Sequence, residues 1–333
     1  MSEPINIAFV FDDKFSDLCK VAIYSIVKNT QSSLAIYIVD CGIAENNRNQ
    51  IAEFAAKYEN ILFLNFKKPE RIDAFEKFPK PSHFSSAVFY RLALGKTFPD
   101  LKRIIYLDCD VIADGDIKEF WNVDLQTKSF GAMNDEINFF PPEDLERRKN
   151  RAGIPLERIY MSSGVLLIDL EKFERDRVFE RILEFVGQCK KLLTCPEQDA
   201  MNICIHQSEY FPISPRFNFT PFSTLSKQCL QKNGAPLLIH YSFAKPWLLN
   251  KRLVEWLCIL NPFSYDIGFI KKYWKYSDEI DKNLYPPGSV RTTITFFYKR
   301  VFGKIEYFIA KKIRNRIAKK IRKFLNKDCK CVP

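Results

Sequence analysis

Residues 103–117 read RIIYLDCDVIADGDI. RIIYL is apolar after its first residue and runs directly into Asp108-Cys109-Asp110. A second Asp-X-Asp triplet, Asp114-Gly115-Asp116, follows six residues later. The pattern alone is weak, because a chain this long holds roughly one Asp-X-Asp by chance. What separates the two triplets is their position relative to the secondary structure around them.

Working outward, INIAFVF at 5–11 and the runs at 34–39 and 61–66 are apolar and strand-length, as is 103–107. Near-continuous apolar runs of this length are expected of buried parallel strands. Further strands are expected at 130–133 and 165–170. Between them, 15–27, 45–58 and 86–98 carry apolar residues at helical spacing. Alternating strands and helices predict an α/β chain with a mostly parallel sheet and right-handed crossovers. Ligands of such sheets bind beyond the carboxyl ends of the strands. Asp12 and Asp13 follow the first strand, Asp40 the second and Asp108/Asp110 the fourth, so these are the candidate acids. Asp108 and Asp110, read as alternate residues of an extended segment, can present oxygens to one cation. Asp114 and Asp116 precede IKEFW, a short helix, where Asp116 suits an N-cap.

No glycine-rich phosphate loop follows the first strand, and no Walker sequence occurs. A bound nucleotide would need another neutraliser, and a divalent cation on carboxylates is one. Of three histidines, His83 lies in a loop and His206 late in a helix. His240 ends the apolar run PLLIH and is followed by Lys245 and Trp247. Imidazole joined to carboxylates favours Mn²⁺, with Mg²⁺ as the second choice.

The charge is uneven. The chain carries a net +11. Residues 293–333 hold 13 Lys/Arg against two acids, while 1–292 hold 38 of each. The neutral body argues against nucleic-acid binding; the tail suits an anionic surface. In the tail Ile305, Phe308, Ile309, Ile313, Ile317, Ile321, Phe324 and Leu325 recur at steps of three and four among Lys and Arg. That is the pattern of a basic amphipathic helix lying in a membrane surface. The ten cysteines contain no Cys-X-X-Cys pair. Neither a signal peptide nor an 18-residue apolar span is visible. The expected location is the cytoplasm, at the inner face of the cell membrane.

YLDCDV at 106–111, SSGVLLIDL at 162–170, PEQDAMN at 196–202 and HYSFAKPW at 240–247 occur in order, with FYRLALG at 89–95 and RFNF at 216–219. Together they resemble glycosyltransferase family 8, in particular the bacterial lipopolysaccharide α-galactosyltransferases and α-glucosyltransferases. The resemblance covers about residues 5–250. It implies the GT-A nucleotide-sugar fold, assigned to 1–260, which leaves 261–292 as a connecting segment before the basic tail, 293–333. It implies a UDP-hexose donor, a lipid-linked oligosaccharide acceptor and Asp108, Asp110 and His240 as Mn²⁺ ligands. Asp12 matches a uracil-binding residue, on which base Phe15 could stack. Lys14 stands at a nucleotide contact, replacing the family's usual polar amide. The Cys109 backbone would touch the ribose, Arg91 the donor sugar and phosphate, and Lys245 the diphosphate. Asp135, Ser162, Ser163, Glu197 and Gln198 match the sugar site. Here Ser162-Ser163-Gly164 replaces a common Asn-Ala-Gly, Glu197 replaces a common Asp, and a glycine usual after the histidine is missing. The family retains anomeric configuration. Gln198 matches the position facing the anomeric carbon, and an amide is a poor nucleophile, so front-face attack is expected. Glu197 is the residue to suspect of any covalent intermediate.

Overall fold

The structure, a computed structural model, describes residues 3–82, 84–138, 142–221, 226–242, 244–254, 264–285 and 288–297. His83 and the tail positions from Ile305 to Leu325 lie outside them. The chain divides into two compact units, Met1–Phe243 with Gly268–Leu284, and Ala244–Ile267 with Tyr285–Pro333.

The first unit is built on a seven-stranded sheet. Its strands are β1 (Ile5–Phe11), β2 (Leu34–Asp40), β3 (Ile61–Lys67), β4 (Arg103–Leu107), β6 (Phe130–Asn134), β7 (Met161–Asp169) and β8 (Phe211–Pro212). β5 (Val111–Ala113) and β9 (Leu238–His240) form a separate two-stranded sheet. The order of the large sheet is β3-β2-β1-β4-β7-β6-β8. β1 pairs in parallel with β2 and β4, β2 with β3, and β6 with β8; β7 alone runs antiparallel to its neighbours. The sheet is thus mostly parallel, as the apolar runs predict. Ile7, Phe9, Ile36, Ile38, Ile105 and Leu107 are buried, which is why those strands tolerate no polar alternation. β3 differs: it is the sheet edge, and Leu62 and Phe63 are exposed.

Two segments depart from the expected winding. The helix expected over 86–98 is a 3₁₀ helix, Ser86–Ala93, that passes into a single α-turn, Leu94–Thr97. Six of its first eight residues are buried, so close packing rather than one apolar stripe sets its path. Asp108-Cys109-Asp110 is a turn and not extended, because the Val111 N–H donates to the Asp108 carbonyl at 3.1 Å. The turn throws β5 off the large sheet to pair with β9, placing Val111 opposite His240.

In the second unit Lys245 precedes the 3₁₀ turn Pro246–Leu248, with its Nζ 5.2 Å from the Trp247 ring centroid. The Asn250 N–H donates to Thr293 Oγ1 at 2.8 Å, and Leu249 bridges Ser289. Among the described residues no helix is long and apolar enough to cross a membrane.

Candidate active site

Strand direction collects the site. Asp108 follows the carboxyl end of β4, beside that of β1. β7 is antiparallel, so its first residues, Met161–Gly164, reach the same end, as does Asp135 after β6. The β5–β9 pairing adds His240.

Asp108, Asp110 and His240 each offer a ligand atom within 4.8 Å of the others'. His240 Nε2 lies 3.1 Å from Asp110 Oδ1 and 3.8 Å from Asp108 Oδ2. The far ring nitrogen, Nδ1, meets Asn218 Oδ1 at 2.9 Å. An Nδ1–H donated to that oxygen leaves the Nε2 lone pair for a cation. Asp108 is held by one oxygen and offers the other: Tyr106 OH donates to Oδ1, and Arg91 Nη2 lies 3.0 Å from it, while Oδ2 faces the histidine. Gly164 completes the cradle. A Cβ there would press into the His240 ring and sit 2.8 Å from Asp108 Oδ2. The set of two carboxylates and one imidazole fits a small divalent cation such as Mn²⁺.

Behind this triad lies a buried polar group. Arg91 stacks 4.8 Å over the Tyr106 ring and donates through Nε to the Val88 carbonyl and through Nη1 to that of Ser163. Burial opposes its charge, but Asp108, Tyr106 and Glu197 more than offset this and raise its pKa. Glu197 is 5% exposed. Its Oε1 lies 3.7 Å from Arg91 and accepts from Ser163 Oγ at 3.2 Å; its Oε2 has no hydrogen-bond partner. Burial pushes its carboxyl pKa up, against the pull of Arg91. Gln198 Oε1 accepts the Ser163 N–H at 3.2 Å, and its Nε2 donates to Asp135 Oδ2 at 2.8 Å.

The helix Pro196–Cys204 carries Glu197 and Gln198, and it is pinned rather than solvated. Asn202 exchanges two hydrogen bonds with the Met161 backbone, at 2.7 and 2.9 Å. Asp199 is buried and accepts from Tyr160 OH, from Arg148 Nε at 3.0 Å and from the Cys195 N–H.

The remaining sequence candidates are held as follows. Asp12 Oδ1 accepts the Lys14 N–H at 3.2 Å in a 3₁₀ turn after β1, and Phe15 is 41% exposed. Asp13 is taken up by the Ala44 N–H and Asn47, which hold its carboxyl below the usual range. Asp40 accepts from the Gly42 and Ile43 N–H groups and pairs with Arg48. Both acids are therefore internal fastenings. Cys109 is buried in the turn between the two aspartates. His206 is exposed, beyond the end of its helix. Lys245 belongs to the second unit. Asn218, Tyr106 and Gly164 carry no role in the sequence reading. The signal available for Asn218 was its place in the RFNF motif, one polar residue between Phe217 and Phe219.

A family model described as Glycosyl transferase family 8 matches residues 6–251. A Haemophilus influenzae protein is 30% identical over 224 residues, which span 66% of this chain and 64% of that protein. The lipopolysaccharide 1,2-glucosyltransferase of Escherichia coli K12 is 29% identical over 259 residues, 74% of this chain and 73% of the other. Among solved structures, an active-site glutamine-to-glutamate mutant of LgtC is 26% identical with a TM-score of 0.61, covering 73% of this chain and 89% of that one.

Proposed function

Because the chain belongs to glycosyl transferase family 8 and has its GT-A fold, we propose that it is a retaining hexosyltransferase. It moves galactose or glucose from a UDP-sugar to a lipopolysaccharide or lipooligosaccharide core. One observation carries this reading: Asp108, Asp110 and His240 converge at the carboxyl end of a mostly parallel sheet, beside buried Arg91 and Glu197 and the neighbouring Gln198. A lipopolysaccharide glucosyltransferase among the relatives supports the acceptor class.

In this proposal Asp108, Asp110 and His240 hold Mn²⁺, or else Mg²⁺. The bound ion would stabilise charge growing on the departing UDP. Asp12 and Phe15 take the uracil, Lys14 contacts the nucleotide, and the Cys109 backbone meets the ribose. Lys245 meets the diphosphate as a compact point charge. Arg91, fixed by four acceptors, holds the Asp108 carboxylate and faces the donor. Asp135, Ser162, Ser163, Glu197 and Gln198 surround the hexose. Glu197 Oε2, buried without a partner, is suited to accept a sugar hydroxyl. Gln198 holds its amide near the anomeric carbon and is too weak a nucleophile to be glycosylated. The acceptor hydroxyl therefore attacks on the face the UDP leaves, and its proton passes to the leaving phosphate oxygen. Glu197 is the carboxylate to examine for a covalent intermediate.

The test is UDP release from UDP-galactose and UDP-glucose, with and without Mn²⁺. Mn²⁺-dependent turnover of one donor is expected. No turnover of either, together with no Mn²⁺-dependent UDP binding, sinks the proposal. The membrane side rests on the sequence alone: all 13 basic residues of 293–333 lie from Lys299 onward. Each would add about 1 kcal/mol of attraction to an anionic bilayer. We place the enzyme peripherally at the cytoplasmic face. Removing residues 298–333 is expected to abolish flotation with anionic liposomes; unchanged flotation refutes that placement.

A further inference from the structure

Asn218 is 1% exposed and lies between Phe217 and Phe219, both buried. A primary amide is costly in such surroundings unless its groups are satisfied. Its backbone position is fixed by β9: Phe219 N–H donates to the Leu238 carbonyl at 3.0 Å, and His240 N–H to the Phe219 carbonyl at 2.8 Å. The side chain then spans two sites. Its Oδ1 is 2.9 Å from His240 Nδ1, and its Nδ2 donates to Ser162 Oγ at 3.0 Å.

These two contacts set which His240 nitrogen carries the proton and make Ser162 Oγ an acceptor. Nδ2 can only donate, so Ser162 Oγ is an acceptor here and its own proton is left for another partner. Oδ1 can only accept, so His240 must carry its proton on Nδ1. Nε2, on the side of Asp108 and Asp110, is then the nitrogen able to ligate. Ser162 sits two residues before Gly164, whose missing Cβ makes room for the His240 ring.

We propose that Asn218 is a positioning residue that joins the metal site to the hexose site: its oxygen sets the His240 tautomer and its nitrogen aims the Ser162 hydroxyl. The inference rests on reading Asp108, Asp110 and His240 as a metal site. The two ends separate by substitution. Asn218→Asp keeps an oxygen for His240 and removes the donor to Ser162. Asn218→Ala removes both. Ser162→Ala removes the hydroxyl alone.

The experiment is Mn²⁺ titration followed by the electron paramagnetic resonance of free Mn²⁺, without donor, with steady-state kinetics alongside. Wild-type binding tests the metal reading itself; its absence overturns both. Given wild-type binding, Asn218→Ala is expected to weaken Mn²⁺ about ten- to a hundredfold, the usual cost of losing such a partner. Asn218→Asp should lose less Mn²⁺ affinity than Asn218→Ala, because it keeps the oxygen that faces His240 Nδ1. Asn218→Asp and Ser162→Ala should share a change in donor KM and in preference between UDP-galactose and UDP-glucose. Wild-type Mn²⁺ affinity in Asn218→Ala overturns the inference. So does an equal loss in Asn218→Asp and Asn218→Ala, since the aspartate retains the oxygen. Unchanged donor kinetics in Asn218→Asp overturns the link to Ser162.

Discussion

Asp108-Cys109-Asp110 and Asp114-Gly115-Asp116 share a pattern and a fifteen-residue stretch, but the fold treats their carboxylates differently. Asp114 pairs with Lys272, and Asp116 Oδ1 is occupied by Thr30 Oγ1 and by the Lys118 N–H at 3.0 Å. Those bonds shape the entry to the short helix Lys118–Trp121, although its formal cap is Ile117. Asp108 instead spends one oxygen on Tyr106 and Arg91 and directs the other at His240, where Asp110 also points. A carboxylate becomes a plausible ligand when the fold holds it by one oxygen and brings a second kind of donor to the other. The same contrast holds for Asp13 and Asp40, whose hydrogen bonds fasten turns.

The largest break in this comparison is Asp110→Ala. We expect at least about a hundredfold loss of transfer, since electrostatic groups at the reacting phosphate are worth that much, with near wild-type thermal unfolding. Asp116→Ala should keep its activity; comparable activity loss in two well-folded variants would show the contrast to be wrong. Gly164→Ala comes next. The added methyl collides with His240 and Asp108, so Mn²⁺ affinity should fall about ten- to a hundredfold, and overpacking should cost about 1–3 kcal/mol. A variant with wild-type affinity would mean the cradle is looser than the geometry states.

Glu197→Gln sharpens the contrast between satisfied and unsatisfied acids. Burial raises the Glu197 pKa above its ordinary 4.5. The folded protein therefore binds this proton more tightly than the unfolded chain does. The resulting stabilisation is complete below the unfolded pKa and is lost as pH rises through the folded one. The amide carries no such dependence. Thermal unfolding should show Glu197→Gln gaining on wild type as pH rises from about 4.5; parallel curves would contradict this. The smallest effect is the stability cost of Asp116→Ala, about 1 kcal/mol as for a lost cap, measurable by denaturant unfolding.

Much of this was legible beforehand. The strands near 5–11, 34–39, 61–66 and 103–107 were visible because buried parallel strands need unbroken apolar runs. The acids at their ends were visible because such sheets expose their carboxyl ends to ligands. The 3₁₀ winding of Ser86–Ala93 was hidden, since a segment buried on most sides has no stripe to read. Tight turning at Cys109 was hidden too, because the Val111 bond that closes it depends on β5 leaving for β9. Glu197 and Asp199 stand in the first turn of their helix, where acids usually face solvent and favour the helix dipole; only packing shows that they are buried.

The sequence by itself determined the family, the α/β order and the residue types able to hold a cation, because these follow from local period and ordered motifs. Tertiary structure decided which oxygens face His240, which acids are already used, and that Asn218 stands behind the histidine. Those facts depend on residues far apart in the chain: Asn218 hydrogen-bonds both Ser162 and His240, and His240 Nε2 comes to 3.8 Å from Asp108, only because strand pairing brings their segments together.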